Sequence, residues 1–148
     1  MIYKAISRKN AETFCKQHHA KKSILISIKS SWDKESPKVF CSKENNIQDI
    51  LSLCFDDIEL EDSLRKHNKE LCMTKNDALS IKYFVEHWFD KVDMIVIHCD
   101  GGVSRSAGIA AGLMQVYEGK GGLMWKKSKK YPNMTCFLRT LQAFNYVK

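Results

Sequence analysis

The sequence predicts an α/β fold: a three-layer sandwich whose mainly parallel central sheet of four to five strands carries helices on both faces. Three observations predict it. Two short apolar runs, Ser23-Ile24-Leu25-Ile26-Ser27-Ile28 and Met94-Ile95-Val96-Ile97, are rich in β-branched residues and read as buried strands. Stretches with apolar residues at three- and four-residue steps stand between and after them. No repeat, low-complexity tract or Pro/Gly-rich linker divides the 148 residues, so residues 1–148 form one domain. A domain of that size buries a core without disulfide or metal staples.

The elements follow in order. Ser7 to His19 is a candidate helix, with Ala11, Phe14, Cys15 and His18 on one face. The Ser23–Ile28 strand comes next, then a polar loop from Ser30 to Pro37 and a short strand, Val39-Phe40-Cys41. Ile47 to Phe55 ends in an apolar run that reads as strand, and Asp56-Asp57 opens an acidic loop reaching Asp62. Thr74-Lys75-Asn76-Asp77 has the form of a capping box with Asp in place of Glu. The helix it starts places Ala78, Ile81, Val85 and Trp88 on one side. After Met94–Ile97 a glycine-containing loop leads into a helix from Ser106 to Glu118, which Gly119 is placed to end. Helical stretches near Leu123 to Lys130 and Thr135 to Tyr146 complete the chain.

Composition narrows the function. With 44% hydrophobic and 28% charged residues the chain is globular rather than disordered. Its net charge of +7 suits anionic partners, although solubility alone accounts for it. The six cysteines form no Cys-x-x-Cys pair, which sets aside zinc-finger and thioredoxin-type chemistry. His18, His19 and His67 lack metal-ligand spacing and read as surface residues, and His87 as partly buried packing beside Trp88. The basic Trp125–Lys130 stretch reads as a solvated helical face. No signal-peptide run or membrane-length segment is present, so a cytoplasmic, reducing setting with free thiols is expected. Neither a metal nor an organic cofactor is implied.

In open α/β sheets ligands sit at the carboxyl ends of strands. The Met94–His98 strand ends in His98-Cys99-Asp100-Gly101-Gly102-Val103-Ser104-Arg105-Ser106, a cysteine and an arginine five residues apart between strand and helix. A loop curled in that position turns its backbone N–H groups inward as an anion nest, and the helix start adds its own partial positive charge. The Asp100, Gly101, Gly102, Val103 and Ser104 backbone would line the nest, and Gly101 and Gly102 permit close approach. Arg105 offers two phosphate oxygens a bidentate fork, which a lysine could not. Cys99, at the floor, sits where the field that holds phosphate also favours thiolate, and a thiolate facing phosphorus can form a covalent intermediate. The Ser106 hydroxyl is placed to bond that thiolate and help it leave, and His98 to shape the loop rather than act as a base.

This segment, through Ala107-Gly108, resembles the signature loop of the protein tyrosine phosphatase superfamily. It is most similar to that of the small dual-specificity phosphatases, His-Cys-x-x-Gly-x-Ser-Arg-Ser, and every fixed position matches. Tyr131 to Leu141 resembles the family's lead into its last helix, and the similarity runs from residue 47 to 146. The resemblance implies hydrolysis of phosphotyrosine in proteins, extending to phosphoserine and phosphothreonine, through a phosphocysteine. It also implies a proton-donating aspartate after an upstream strand. In Leu53-Cys54-Phe55-Asp56-Asp57 that acid registers as Asp57, with Asp56 as the alternative.

The same chemistry on RNA 5′-triphosphate or phosphoinositide is the nearest competing reading. Relatives of that kind add basic residues inside the loop, and this loop has none. A non-catalytic phosphopeptide adaptor is the competitor of another class; such proteins lose the cysteine, arginine or acid. A rhodanese-type sulfurtransferase does not account for Arg105 and the Ser-Arg-Ser ending. The expected partner is a phosphorylated protein, with no obligate nucleic acid and no membrane span. Chain length favours a shallow, dual-specificity cleft. Cys54, Cys72 and Cys136 are candidates for a reversible disulfide with Cys99.

Overall fold

A computed structural model describes residues 1–126 and 129–148. Four strands form one sheet: β1 (Ile2–Ser7), β2 (Ser23–Lys29), β3 (Ile47–Cys54) and β4 (Met94–Cys99). Their order is β1-β4-β2-β3 and every pairing is parallel. The helices are α1 (Arg8–Cys15), α2 (Leu60–His67), α3 (Lys75–Trp88), α4 (Arg105–Glu118), α5 (Leu123–Lys126) and α6 (Met134–Ala143). No helix among the described residues is long and apolar enough to cross a membrane.

Side-chain alternation along the strands builds two cores. Ala5, Ile24, Ile26, Ile28, Ile95, Ile97 and Cys99 pack with α3, α4 and α6 residues such as Ile81, Ile109 and Cys136. Leu25, Met94 and Val96 face the other way, onto Phe14 and Cys15 of α1. The sheet is therefore covered on both faces, as its apolar strands require, and the three-layer expectation holds with four strands. All six residues of β4 are buried, which fixes Cys99 toward α4 and His98 toward the α1 side.

Local chemistry sets the helix ends. Ser7 Oγ accepts the Asn10 amide to start α1. Thr74 and Asp77 exchange both capping-box bonds at α3, with Asp filling the role usual for Glu. Gly119 closes α4 in the left-handed region at φ +66°. The glycines inside α4 mark its approach to α6. A Cβ on Gly108 would lie 2.5 Å from the Asn133 carbonyl oxygen, and one on Gly112 2.7 Å from Thr140 Cβ.

Three expectations are corrected. Val39-Phe40-Cys41 is not a strand: Val39 packs against the α1-side core, and the pairing nearby is a single bridge between Ser42 and Ile47. Only Val39 of the three is partly buried; Phe40 and Cys41 are exposed. The acidic stretch after Asp57 enters α2, whose first turn carries Glu61 and Asp62 and last turn Arg65, Lys66 and His67, the charge order a helix dipole favours. His87 is exposed, edge-on to Trp88, rather than partly buried. β1 is a strand that local pattern did not reveal, because its ladder partner β4 lies more than ninety residues away. The expected helix Leu123 to Lys130 forms over Leu123–Lys126; Lys127 and Ser128 lie outside the described residues.

Candidate active site

The carboxyl ends of β2, β3 and β4 and the start of α4 enclose a cavity of about 500 Å³. Cys99, Asp100, Gly101, Val103, Ser104 and Arg105 line it from the β4–α4 loop. Ser30 and Trp32 reach it from beyond β2, and Asp56, Asp57 and Ile58 from beyond β3.

The loop is built around Cys99. Its sulfur receives the Gly102 N–H at 3.3 Å and lies 3.2 Å from Ser106 Oγ. Gly102 has φ +74°, and a Cβ there would overlap the Ile6–Ser7 peptide at the end of β1. Glycine is thus required twice over, by the turn and by the close approach of β1. Its carbonyl accepts Lys130 Nζ at 2.6 Å. His98 is fully buried, with Nε2 2.6 Å from Ser27 Oγ and Nδ1 3.4 Å from the Cys99 carbonyl. Burial holds its pKa below the ordinary imidazole value. The ring is thus tied to β2 through Ser27 and lies against the Cys99 carbonyl.

Arg105 is 4% exposed and held at three points. Nη1 donates to the Phe55 carbonyl at 2.7 Å and to Ser30 Oγ at 2.9 Å, and Nη2 lies 3.2 Å from Asp100 Oδ2. Nε is buried and has no hydrogen-bond partner. A buried guanidinium N–H without an acceptor is costly.

The two aspartates separate cleanly. Asp57 Oδ1 accepts Ser104 Oγ at 2.7 Å and Asn133 Nδ2 at 3.0 Å, which tie it to the loop and to the start of α6. Asp56 is turned to the β2 side, where its carboxylate takes the Ser31 amide at 2.7 Å and hydroxyl at 2.8 Å. The neighbouring Glu59 caps α6 through the Met134 and Thr135 amides at 2.7 and 2.8 Å, anchoring the segment that carries Asp57.

The structure thus brings Cys99, Arg105, Ser106, His98 and Asp57 to one place, with Asp56 beside them. Several members were not singled out from sequence. Ser30, which bridges Arg105 and Asp100, sits in a polar loop with no distinguishing signal. Asn133 lies within the segment resembling the family's last-helix lead, yet its bond to Asp57 spans 76 residues. Lys130 looked like part of a solvated basic run. Cys136, named above as a disulfide candidate, is buried at the start of α6, and its pKa is pushed well up by that burial and by the Asp57 and Glu59 carboxylates.

No family model matches the sequence, and no curated protein matches it. Solved structures do. A human tyrosine phosphatase-like serine/threonine/tyrosine-interacting protein superposes with a TM-score of 0.56 over 84% of this chain and 78% of its own, at 14% identity. Tk-PTP in its active form superposes with a TM-score of 0.52 over 97% of this chain and 88% of its own, at 13% identity. The chain has a tyrosine phosphatase-like fold. The expected three-layer architecture agrees with that fold.

Proposed function

We propose that the protein is a cysteine-dependent phosphatase that hydrolyses phosphotyrosine in proteins, with phosphoserine and phosphothreonine as further substrates. One observation carries this reading: Cys99 and Arg105, the latter with a buried and unpartnered Nε, line one cavity at the start of α4. The loop amides, the helix start and the guanidinium together suit a phosphoryl group, and they favour its transition state most.

In the first step the Cys99 thiolate attacks phosphorus. A sulfur–phosphorus bond forms, the ester phosphorus–oxygen bond breaks, and Asp57 gives its proton to the leaving oxygen. Both donors to Asp57 converge on Oδ1, so Oδ2 is the oxygen suited to carry the proton. In the second step water attacks phosphorus while Asp57 takes its proton. The sulfur–phosphorus bond breaks, inorganic phosphate leaves, and the Ser106 hydroxyl stabilises the departing thiolate at 3.2 Å. Asp56 serves instead to hold the Ser31 turn.

The test is a comparison of initial rates on a phosphotyrosine peptide, a phosphoinositide and triphosphorylated RNA. The phosphotyrosine peptide is expected to give the highest kcat/KM. No turnover of any of them, or of p-nitrophenyl phosphate, with retained phosphopeptide binding, would make the protein an adaptor.

A further inference from the structure

One member of the phosphate loop has no place in the mechanism above. Asp100 directs its carboxylate into the cradle, where Oδ2 lies 3.2 Å from Arg105 Nη2 and accepts Ser30 Oγ at 3.0 Å. Nη1 has an anchor independent of Asp100 in the Phe55 carbonyl, while the Ser30 hydroxyl accepts Nη1 and donates to Asp100. What Asp100 distinctly adds is a negative charge against the one guanidinium lining the cavity.

The surroundings have the same sign. Three carboxylates line the cavity, Asp56, Asp57 and Asp100, against Arg105 and the imidazole of His67. Asp56 and Asp57 are bonded by neutral donors, the Ser31, Ser104 and Asn133 groups, which satisfy their oxygens without cancelling their charge. The surface continuing past Asp57 is lined by Glu59, which caps α6, and by Asp62, paired with Arg65 at 2.6 Å, with Lys66 beside them. Among the described lining residues of a chain of net charge +7, three carboxylates therefore face the Arg105 seat, and Lys130, on the Gly102 carbonyl, is a cation at the edge of the loop. A lone phosphate fits this seat. A second anionic group next to it meets carboxylates, and a neighbouring cation meets favourable partners.

We propose that Asp100 makes the site selective for isolated phosphomonoesters in neutral or basic surroundings, such as a phosphorylated residue flanked by lysine or arginine, and against substrates with a second anion beside the reacting phosphate. The proposal rests on the phosphatase reading and narrows its substrate class.

The test compares kcat/KM for matched phosphotyrosine peptides flanked by lysines or by aspartates, and for an inositol bisphosphate, in wild-type, Asp100→Asn and Asp100→Glu proteins. The wild type is expected to favour the lysine-flanked peptide. Asp100→Asn should shrink its advantage over the two anionic substrates about three- to tenfold at ~0.1 M salt, the size of one charge at partly screened range. Asp100→Glu, which keeps the charge, should retain most of it. A separate arm measures inorganic phosphate binding by calorimetry in Cys99→Ser protein with and without Asp100→Asn, where the neutral variant should bind more tightly. Unchanged selectivity in Asp100→Asn, or equal or weaker phosphate binding, overturns the proposal and makes Asp100 a positioning residue for Arg105. If the wild type turns over no phosphoester, the phosphatase reading falls, and the binding arm still decides the role of Asp100.

Discussion

The β4–α4 junction and the β3–α2 segment bring Cys99 and Asp57, the proposed nucleophile and proton donor, to the same cavity by opposite means. At the first, the backbone does the positioning. Cys99 ends a fully buried strand, Arg105 begins a helix that is buried along its first nine residues, and Gly102 presses against β1. At the second, side chains do it. Asp57 is exposed and is held by Ser104 and Asn133, while Glu59 locks the following backbone to α6. A nucleophile and its phosphate seat must hold one geometry throughout the reaction. A proton donor must release a leaving group and admit water, so a solvent-facing segment tied by a few polar contacts is the better support.

The contrast can be broken first at Arg105. Arg105→Lys keeps a charge but loses the fork, the Phe55 contact and the Nε donor, so kcat/KM on a phosphotyrosine peptide should fall about a thousandfold. Steady-state kinetics checks this; a loss under tenfold would mean that charge alone is needed. Asp57→Asn should lower kcat by about a hundredfold, in the range of a lost general acid, with little change in phosphate binding. The effect should be smaller for p-nitrophenyl phosphate, whose leaving group needs less help. Asp56→Asn should cost less than Asp57→Asn on every substrate, and the reverse order would exchange their roles.

These two regions also differ in how far they could be read from sequence. The junction was legible because its parts are neighbours in the chain: an apolar run, paired glycines, and a cysteine and arginine at fixed spacing. The capping box at Thr74 and the terminator Gly119 were readable for the same reason. The second region was readable only as far as a pair of aspartates. What distinguishes Asp57 from Asp56 is contact with Ser104 and Asn133, both far along the chain, and no local pattern encodes it. Ser30 and β1 were missed on the same physical ground, since their partners Arg105 and β4 lie at long sequence range.

Stability separates the regions further. Gly102→Ala forces a Cβ into the Ile6–Ser7 peptide at a positive φ, so it should cost about 3 kcal/mol or more, measured by urea denaturation. Ser104→Ala, which removes a contact to Asp57 at the rim, should cost under about 1 kcal/mol. A value for Gly102→Ala no larger than that would mean the loop is not braced against β1.

The smallest expected effect is on pH dependence. Burial depresses the pKa of His98 in the folded state, so the unfolded chain binds more protons once pH drops below the ordinary imidazole value of about 6.5. The stability contributed by neutral His98 is present above that pH and is lost as pH falls toward the folded value. Urea midpoints at pH 7.5 and 5.5 should therefore differ less in His98→Asn than in wild type. A wild-type midpoint that does not fall between those pH values, or one that falls equally in both proteins, would place the acid sensitivity elsewhere.

The most direct measurement is a rapid acid quench of the protein during turnover of a radiolabelled phosphotyrosine peptide, followed by peptide mapping. The label should appear on the fragment containing Cys99, and both label and turnover should vanish in Cys99→Ser. Continued hydrolysis by Cys99→Ser, or turnover by the wild type with label on another residue, would contradict a phosphoryl group carried by this sulfur.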